Sequence, residues 1–137
     1  MSPVGRTKDA GWQIGISKTI DRPLGEVWDF ITSSEGVAIW LGEGVTALSE
    51  LGAGYDTTAG VRGETRSFRE LDRLRLTWQP ADWSHETTLQ LTVSSAGEGR
   101  TRLGVHQERL ANAAEREQQR LHWKGVITEL VAALTDQ

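Results

Sequence analysis

The stretch NAAEREQQRLHWKGVITELVAA, residues 112–133, decides how the rest of the chain must be arranged. Trp123, Ile127 and Leu130, continued by Leu134, recur at helical steps with Val126 and Val131 beside them, so at 3.6 residues per turn they build one apolar stripe. Glu115, Arg116, Glu117, Arg120, Lys124 and Glu129 take the other side, and no proline interrupts the run. Asn112 is placed to cap the first turn, and Glu115, three residues on, complements the positive end of the helix dipole. An isolated helix of this kind is marginal in water, so its stripe must be covered by a surface that the preceding residues build.

Working outward, that surface is a sheet. Thr101, Leu103, Val105 and Gln107 alternate with Arg102, Gly104, His106 and Glu108; Thr87, Leu89, Leu91 and Val93 alternate with Glu86, Thr88, Gln90 and Thr92; Leu74, Leu76 and Trp78 alternate with Arg73, Arg75 and Thr77. Pro80-Ala81-Asp82 and Ser94–Gly99 are turns, and glycines at 52, 54, 60 and 63 separate shorter β-prone runs before them. About five antiparallel strands in sequence form a meander by the usual preference for short connections.

The first third is strand, helix, kink and short helix. Met1–Ala10 is polar and aperiodic and is expected to be a flexible arm, leaving 11–137 as a single domain. Trp12, Ile14, Ile16 and Ile20 face one way along a first strand, with Lys18 breaking that face as a snorkelling side chain or a charge at a rim. Pro23 fits the first helical position, and Leu24, Val27, Trp28 and Ile31 carry helical spacing. Thr32-Ser33-Ser34-Glu35 has the form of a capping box that opens a second helix through Val37, Ala38 and Trp40, with Gly42 as its stop.

Composition bounds the function. A chain of 137 residues suits one core. Its net charge of −4 argues against a nucleic-acid binder, and the absence of cysteine excludes disulfides, zinc thiolate sites and thiol nucleophiles. No apolar run approaches the ~20 residues that span a bilayer, so no membrane role and a cytoplasmic location are expected. Six tryptophans against one tyrosine and two phenylalanines are the unusual entry, since such side chains are core anchors or pocket walls.

Three segments in order resemble the START-like (SRPBCC) helix-grip superfamily, and within it the group similar to activators of the heat-shock protein 90 ATPase. They are Ile20–Trp28 continuing to Trp40-Leu41, Arg73–Trp78, and Gly99–Leu103 combined with Trp123, Ile127, Leu130 and Leu134. The resemblance covers Gly11–Leu134. It implies an α+β helix-grip fold of the START/Bet v 1-like type: a curved antiparallel sheet of about six to seven strands wrapped around the C-terminal helix, with two short helices after the first strand. It also implies a cavity between sheet and helix.

The inward faces nominate the cavity's lining: Trp28, Ile31, Trp40, Trp78, Leu89, Leu91, Leu103, Val105, Gln107, Trp123, Ile127 and Leu130. Core packing is the competing account of each. Gln107, Arg109, Thr87 and His85 extend these faces and would ring a mouth. No metal, cofactor or catalytic constellation stands out. His85-Glu86 lacks the second histidine of a zinc-protease motif, Gly42-Glu43-Gly44-Val45-Thr46-Ala47 follows a helix rather than leading into one, and His106 and His122 have no carboxylate partner in sequence.

Three functions are expected from this reading. The first is a non-enzymatic domain binding a small hydrophobic or amphipathic molecule between helix and sheet, as a monomer or homodimer. The second is a chaperone-interacting, ATPase-activator-like domain, against which stands the lack of room for the amino-terminal domain that eukaryotic co-chaperones of that kind carry. The third is an enzyme similar to the polyketide cyclases and aromatases, using His122 or Arg109 as acid or base.

Overall fold

The alternating strands pair as a meander because each hairpin turn returns the chain beside itself. In the computed structural model, which describes residues 6–7, 11–45, 48 and 51–135, β1 (Arg6–Thr7), β2 (Gly11–Ile20), β3 (Gly54–Asp56), β4 (Val61–Arg69), β5 (Arg73–Pro80), β6 (Thr87–Ser95) and β7 (Thr101–Leu110) form one antiparallel sheet. Its order is β1-β2-β7-β6-β5-β4-β3, so β3 to β7 are the five-strand meander and β2 closes against the last of them. Arg6 and Thr7, within the expected polar arm, pair with Trp12 and Gly11; the rest of that arm lies outside the described residues.

Two helices follow β2: α1 (Leu24–Thr32) and α2 (Ser34–Trp40). Pro23 is the N-cap of α1 rather than its first residue, its carbonyl accepting from the Val27 amide at 3.1 Å. The second helix is capped by Ser33, whose Oγ accepts from the Gly36 amide at 3.1 Å, whereas Thr32 turns its hydroxyl back to the Trp28 carbonyl at 2.8 Å. The kink is tight: a β-carbon on Gly36 would lie 1.9 Å from the Phe30 carbonyl oxygen. Gly42, at φ +133°, ends α2 with its amide on the Val37 carbonyl. The glycine-rich stretch from Gly42 thus follows a helix, and its Thr46 and Ala47 lie outside the described residues.

The long helix α3 (Ala113–Thr135) starts as its cap predicts, with the Glu115 amide donating to Asn112 Oδ1 at 2.8 Å. Arg116 Nε donates to the Gln13 carbonyl near one end of β2, and Arg22 Nη2, just past the other end, donates to the Thr135 carbonyl. The helix therefore runs along β2, with Trp123, Val126, Ile127, Leu130 and Leu134 buried.

Strand register sets what the helix meets. Ile14, Gln107, Leu89, Leu76 and Thr65 form one inward row across five strands; Ile16, Val105, Leu91, Leu74 and Phe68 form the next. At the end of β7 the alternation breaks. Three steps from Gln107 to Leu110 oppose two from Ile14 to Trp12, and Arg109 takes φ +69°, the signature of a bulge. Leu110 is consequently buried and Arg109 exposed, which corrects the expectation that Arg109 extends the Leu103 and Val105 face. Lys18 is exposed although its strand partner Leu103 is buried, as a snorkelling side chain would be.

Candidate functional site

All twelve residues nominated from the sequence are at most 5 % exposed, and they fall into two groups joined by the sheet. Near α1 and α2, Trp28 meets Phe68 edge-on at 5.4 Å, and Trp40 Nε1 donates to the Ile31 carbonyl at 2.8 Å. At the other end stand Trp78, Gln107 and Trp123. Leu89, Leu91, Leu103 and Val105 of the sheet and Ile127 and Leu130 of α3 fill the space between. Gln107 and Thr87, placed at a mouth by their position on the strands, are instead wholly buried.

Their burial is possible because a directed hydrogen-bond chain satisfies them. Trp123 Nε1 donates to Gln107 Oε1 at 2.7 Å, Gln107 Nε2 donates to Thr87 Oγ1 at 2.9 Å, and Thr87 Oγ1 donates to the Trp78 carbonyl at 2.7 Å. The indole can only donate, so the amide must turn its oxygen to Trp123 and its nitrogen to Thr87. The closing helix is thereby fixed to three adjacent strands by polar contacts that water does not weaken.

Around this chain lies an aromatic cluster. Trp78 contacts Trp123 at 5.9 Å, Trp83 at 5.4 Å and His122 at 6.3 Å between ring centroids, and His122 meets Trp123 edge-on at 4.7 Å. Trp83 stacks on His85 at 5.1 Å with the rings 13° from parallel. Both belong to the β5–β6 loop, which is pinned twice: Gln79 Nε2 donates to the Trp83 carbonyl at 2.6 Å, and His85 Nε2 lies 2.7 Å from Glu115 Oε1. The same Glu115 oxygen accepts from the Ala111 amide at 3.0 Å, so one carboxylate ties the loop to the start of α3. The loop covers the cluster from outside.

Electrostatics at this end are muted. His122 is an exposed residue, yet partial desolvation of its ring against Trp78 and Trp123 pushes its pKa below the ordinary imidazole value, against a smaller upward pull from Glu129. His106 is not nearby; it pairs with Gly15 and Gln90 on the opposite face of the sheet and contacts Gln13 Oε1 at 2.8 Å. On the inward side, Gln119 Oε1, one turn before Trp123, and Thr65 Oγ1 are buried without a protein partner. Buried polar atoms are rarely left so. Among the described residues no cluster of His, Asp and Glu could hold a metal ion, and no helix is long and apolar enough to cross a membrane.

Trp83, Glu115 and Gln119 were not singled out for a site from the sequence. The available signal was Trp83-Ser84-His85 directly after the Pro80-Ala81-Asp82 turn, an indole and an imidazole where loops usually carry small polar residues. Among the described residues, open clefts lie elsewhere on the surface, including one of about 510 Å³ among Arg22, Glu26, Asp29, Phe30, Ser33, Glu35 and Leu134, one of about 320 Å³ on the convex face of the sheet, and one of about 330 Å³ along β3 to β5. Of the twelve nominated residues only Val105 borders one of these, from the far side of the sheet.

Solved structures share this architecture. CalU16 from Micromonospora echinospora superposes with a TM-score of 0.78 at 20% identity, covering 94% of this chain and 80% of that one. DynU16, a protein of the dynemicin biosynthetic locus, gives 0.77 at 23% identity over 90% of this chain, which spans only 47% of that longer chain. An HSP90 activator from Plasmodium falciparum gives 0.76 at 15% identity over 91% of this chain and 97% of its own. At these identities the likeness concerns the fold. No curated protein matches the chain. The profile of one family, described as activator of Hsp90 ATPase homolog 1-like protein, matches residues 21–135, from the turn before α1 to the last residue of α3. With a START-like helix grip in its fold and that match over most of its length, the chain belongs to the family of activator of Hsp90 ATPase homolog 1-like proteins.

Proposed function

We propose that this domain binds a small hydrophobic or amphipathic molecule at the aromatic end of the grip, between the sheet and α3, against Trp78 and Trp123 and beneath the loop that carries Trp83. The observation that carries the reading is the pairing of a continuous aromatic cluster with a buried, unpartnered acceptor, Gln119 Oε1, on the inward face of the helix above it. An apolar guest would take the ring surfaces, and its single polar group would meet Gln119. Leu89, Leu91, Leu103, Val105, Ile127 and Leu130 would form the floor, with Trp28, Ile31 and Trp40 beyond them at the far end.

Native mass spectrometry of the protein purified from its own host tests this. A retained small molecule at one per chain, lost in Trp83→Ala, supports it. Only the bare chain mass, under conditions that keep the fold, would count against it.

A second reading has its own support. The family's description and the Plasmodium activator, matched over nearly its whole length, favour docking to a chaperone through the outer surface. That solved chain has about the span of this one, which weighs against treating the lack of room for an amino-terminal domain as an objection. Co-purification of the host's HSP90-type chaperone, with its ATPase stimulated by added protein, would favour this reading over ligand binding.

A further inference from the structure

Outside the grip, the convex face of the sheet holds a depression of about 320 Å³. Its floor exists because neighbouring strands carry Gly15 and Gly104 where other positions carry side chains. Register builds the walls: Ser17, Gly104 and Thr92 share one cross-strand row, and Thr19, Arg102 and Ser94 share the next. A β-carbon on Gly104 would come 2.7 Å from Thr92 Oγ1, so any side chain there would begin to fill the hollow.

The wall groups are donors. Ser17, Thr92 and Ser94 supply hydroxyls and Arg102 a guanidinium, and no acidic residue lines the depression. That is unexpected in a chain of net charge −4 where the clefts of about 510 and 330 Å³ include Glu26, Asp29 and Glu35, or Asp56, Glu64 and Glu86. Arg102 Nη2 donates to Ser17 Oγ at 2.9 Å, which holds the guanidinium over this row, and among the described residues it has no carboxylate partner. Arg73 follows Thr92 on the same row, and its Nε is a buried donor without a partner. At the other end His106 is already engaged, by Gln13 Oε1 at 2.8 Å and by Glu108 at 3.4 Å, and Glu108 also lies 3.6 Å from Arg75. Recognition therefore falls to the Arg102 end.

We infer that this depression is an oxyanion site that takes the phosphate group of a small ligand. Arg102 offers a planar fork of charged donors, and hydroxyls from the two flanking strands, Ser17 on β2 and Thr92 and Ser94 on β6, meet the remaining oxygens of a tetrahedral group better than those of a planar carboxylate. The site is independent of the guest proposed for the grip.

The test is amide NMR of the whole chain at constant ionic strength. One arm titrates inorganic phosphate and glycerol 3-phosphate; the other adds phosphatidylcholine vesicles with and without phosphatidic acid. Saturable shifts confined to residues 15–17, 92–94 and 102–104 are expected, weakened by about fivefold or more in Arg102→Gln, with Gly104→Ser as a second variant that fills the floor. A response in the first arm identifies a soluble phosphate ligand, and one confined to the second a lipid headgroup; either supports the site. Shifts spread over the surface, shifts that Arg102→Gln weakens less than that, or silence in both arms would overturn it.

Discussion

Replacing Gln107 by leucine tests whether the polar chain beneath α3 secures the grip. The side chain is wholly buried, accepts from Trp123 Nε1 and donates to Thr87 Oγ1. Two hydrogen bonds contribute about 1 kcal/mol each, and an indole N–H left buried without an acceptor costs a further ~1–3 kcal/mol. Leucine's greater apolarity returns part of this, so Gln107→Leu should lower stability by about 2–4 kcal/mol. Urea unfolding followed by circular dichroism measures it. Repeating the substitution in a Trp123→Phe background separates the bond from packing, because that background has no indole N–H to strand. There the cost should shrink by about 2 kcal/mol or more, because both the Trp123 bond and the stranded N–H drop out. A loss below ~1 kcal/mol in the native background, or strictly additive effects, would refute the argument that these two side chains satisfy one another.

Three further outcomes follow from the same geometry. Gly36→Ala places a β-carbon against the Phe30 carbonyl and should destabilise by about 3 kcal/mol or prevent folding, read as a lowered Tm; an unchanged Tm would mean that the α1–α2 kink can open freely. Glu115→Ala frees the Ala111 amide and His85 together, so hydrogen exchange should quicken at residues 83–86 and 111–116 while the centre of β6 stays protected; equal acceleration throughout would deny it a local clasping role. His122 has a depressed pKa in the folded chain, so its share of stability is complete above the unfolded imidazole value and falls away as pH drops through the folded one. Imidazole NMR should therefore show His122 titrating below its value in urea, and His122→Gln should flatten the acid limb of Tm against pH.

Much of the fold could be read locally because its signals have short periods. The stripe from Trp123 to Leu134, the alternation of β5 to β7 and the stop at Gly42 each depend on neighbours within a few residues. The bulge at Arg109 could not be read, because it is set by how β7 must turn into α3 against Trp12, almost a hundred residues earlier. Choosing Ser33 over Thr32 as the cap depended on where the α1 carbonyls lay, since the Trp28 carbonyl accepts from the Thr32 hydroxyl and the Phe30 carbonyl from that of Ser33. The aromatic end was half visible. Trp78, Trp123 and Gln107 followed from inward faces, but Gln107 looked peripheral while its partner was unknown. His85 and Glu115 meet across 30 residues, and no local pattern announces such a contact.

The claim that a guest occupies the aromatic end is tested most directly by tryptophan indole NMR during titration with an uncharged hydrophobic probe, N-phenyl-1-naphthylamine. Saturable shifts should appear at the Nε1–H signals of Trp78, Trp83 and Trp123 and at the His122 ring, with Trp40 unmoved because it stands at the far end of the grip, on α2. Absence of saturation, or shifts confined to Trp28 and Trp40, would contradict the account.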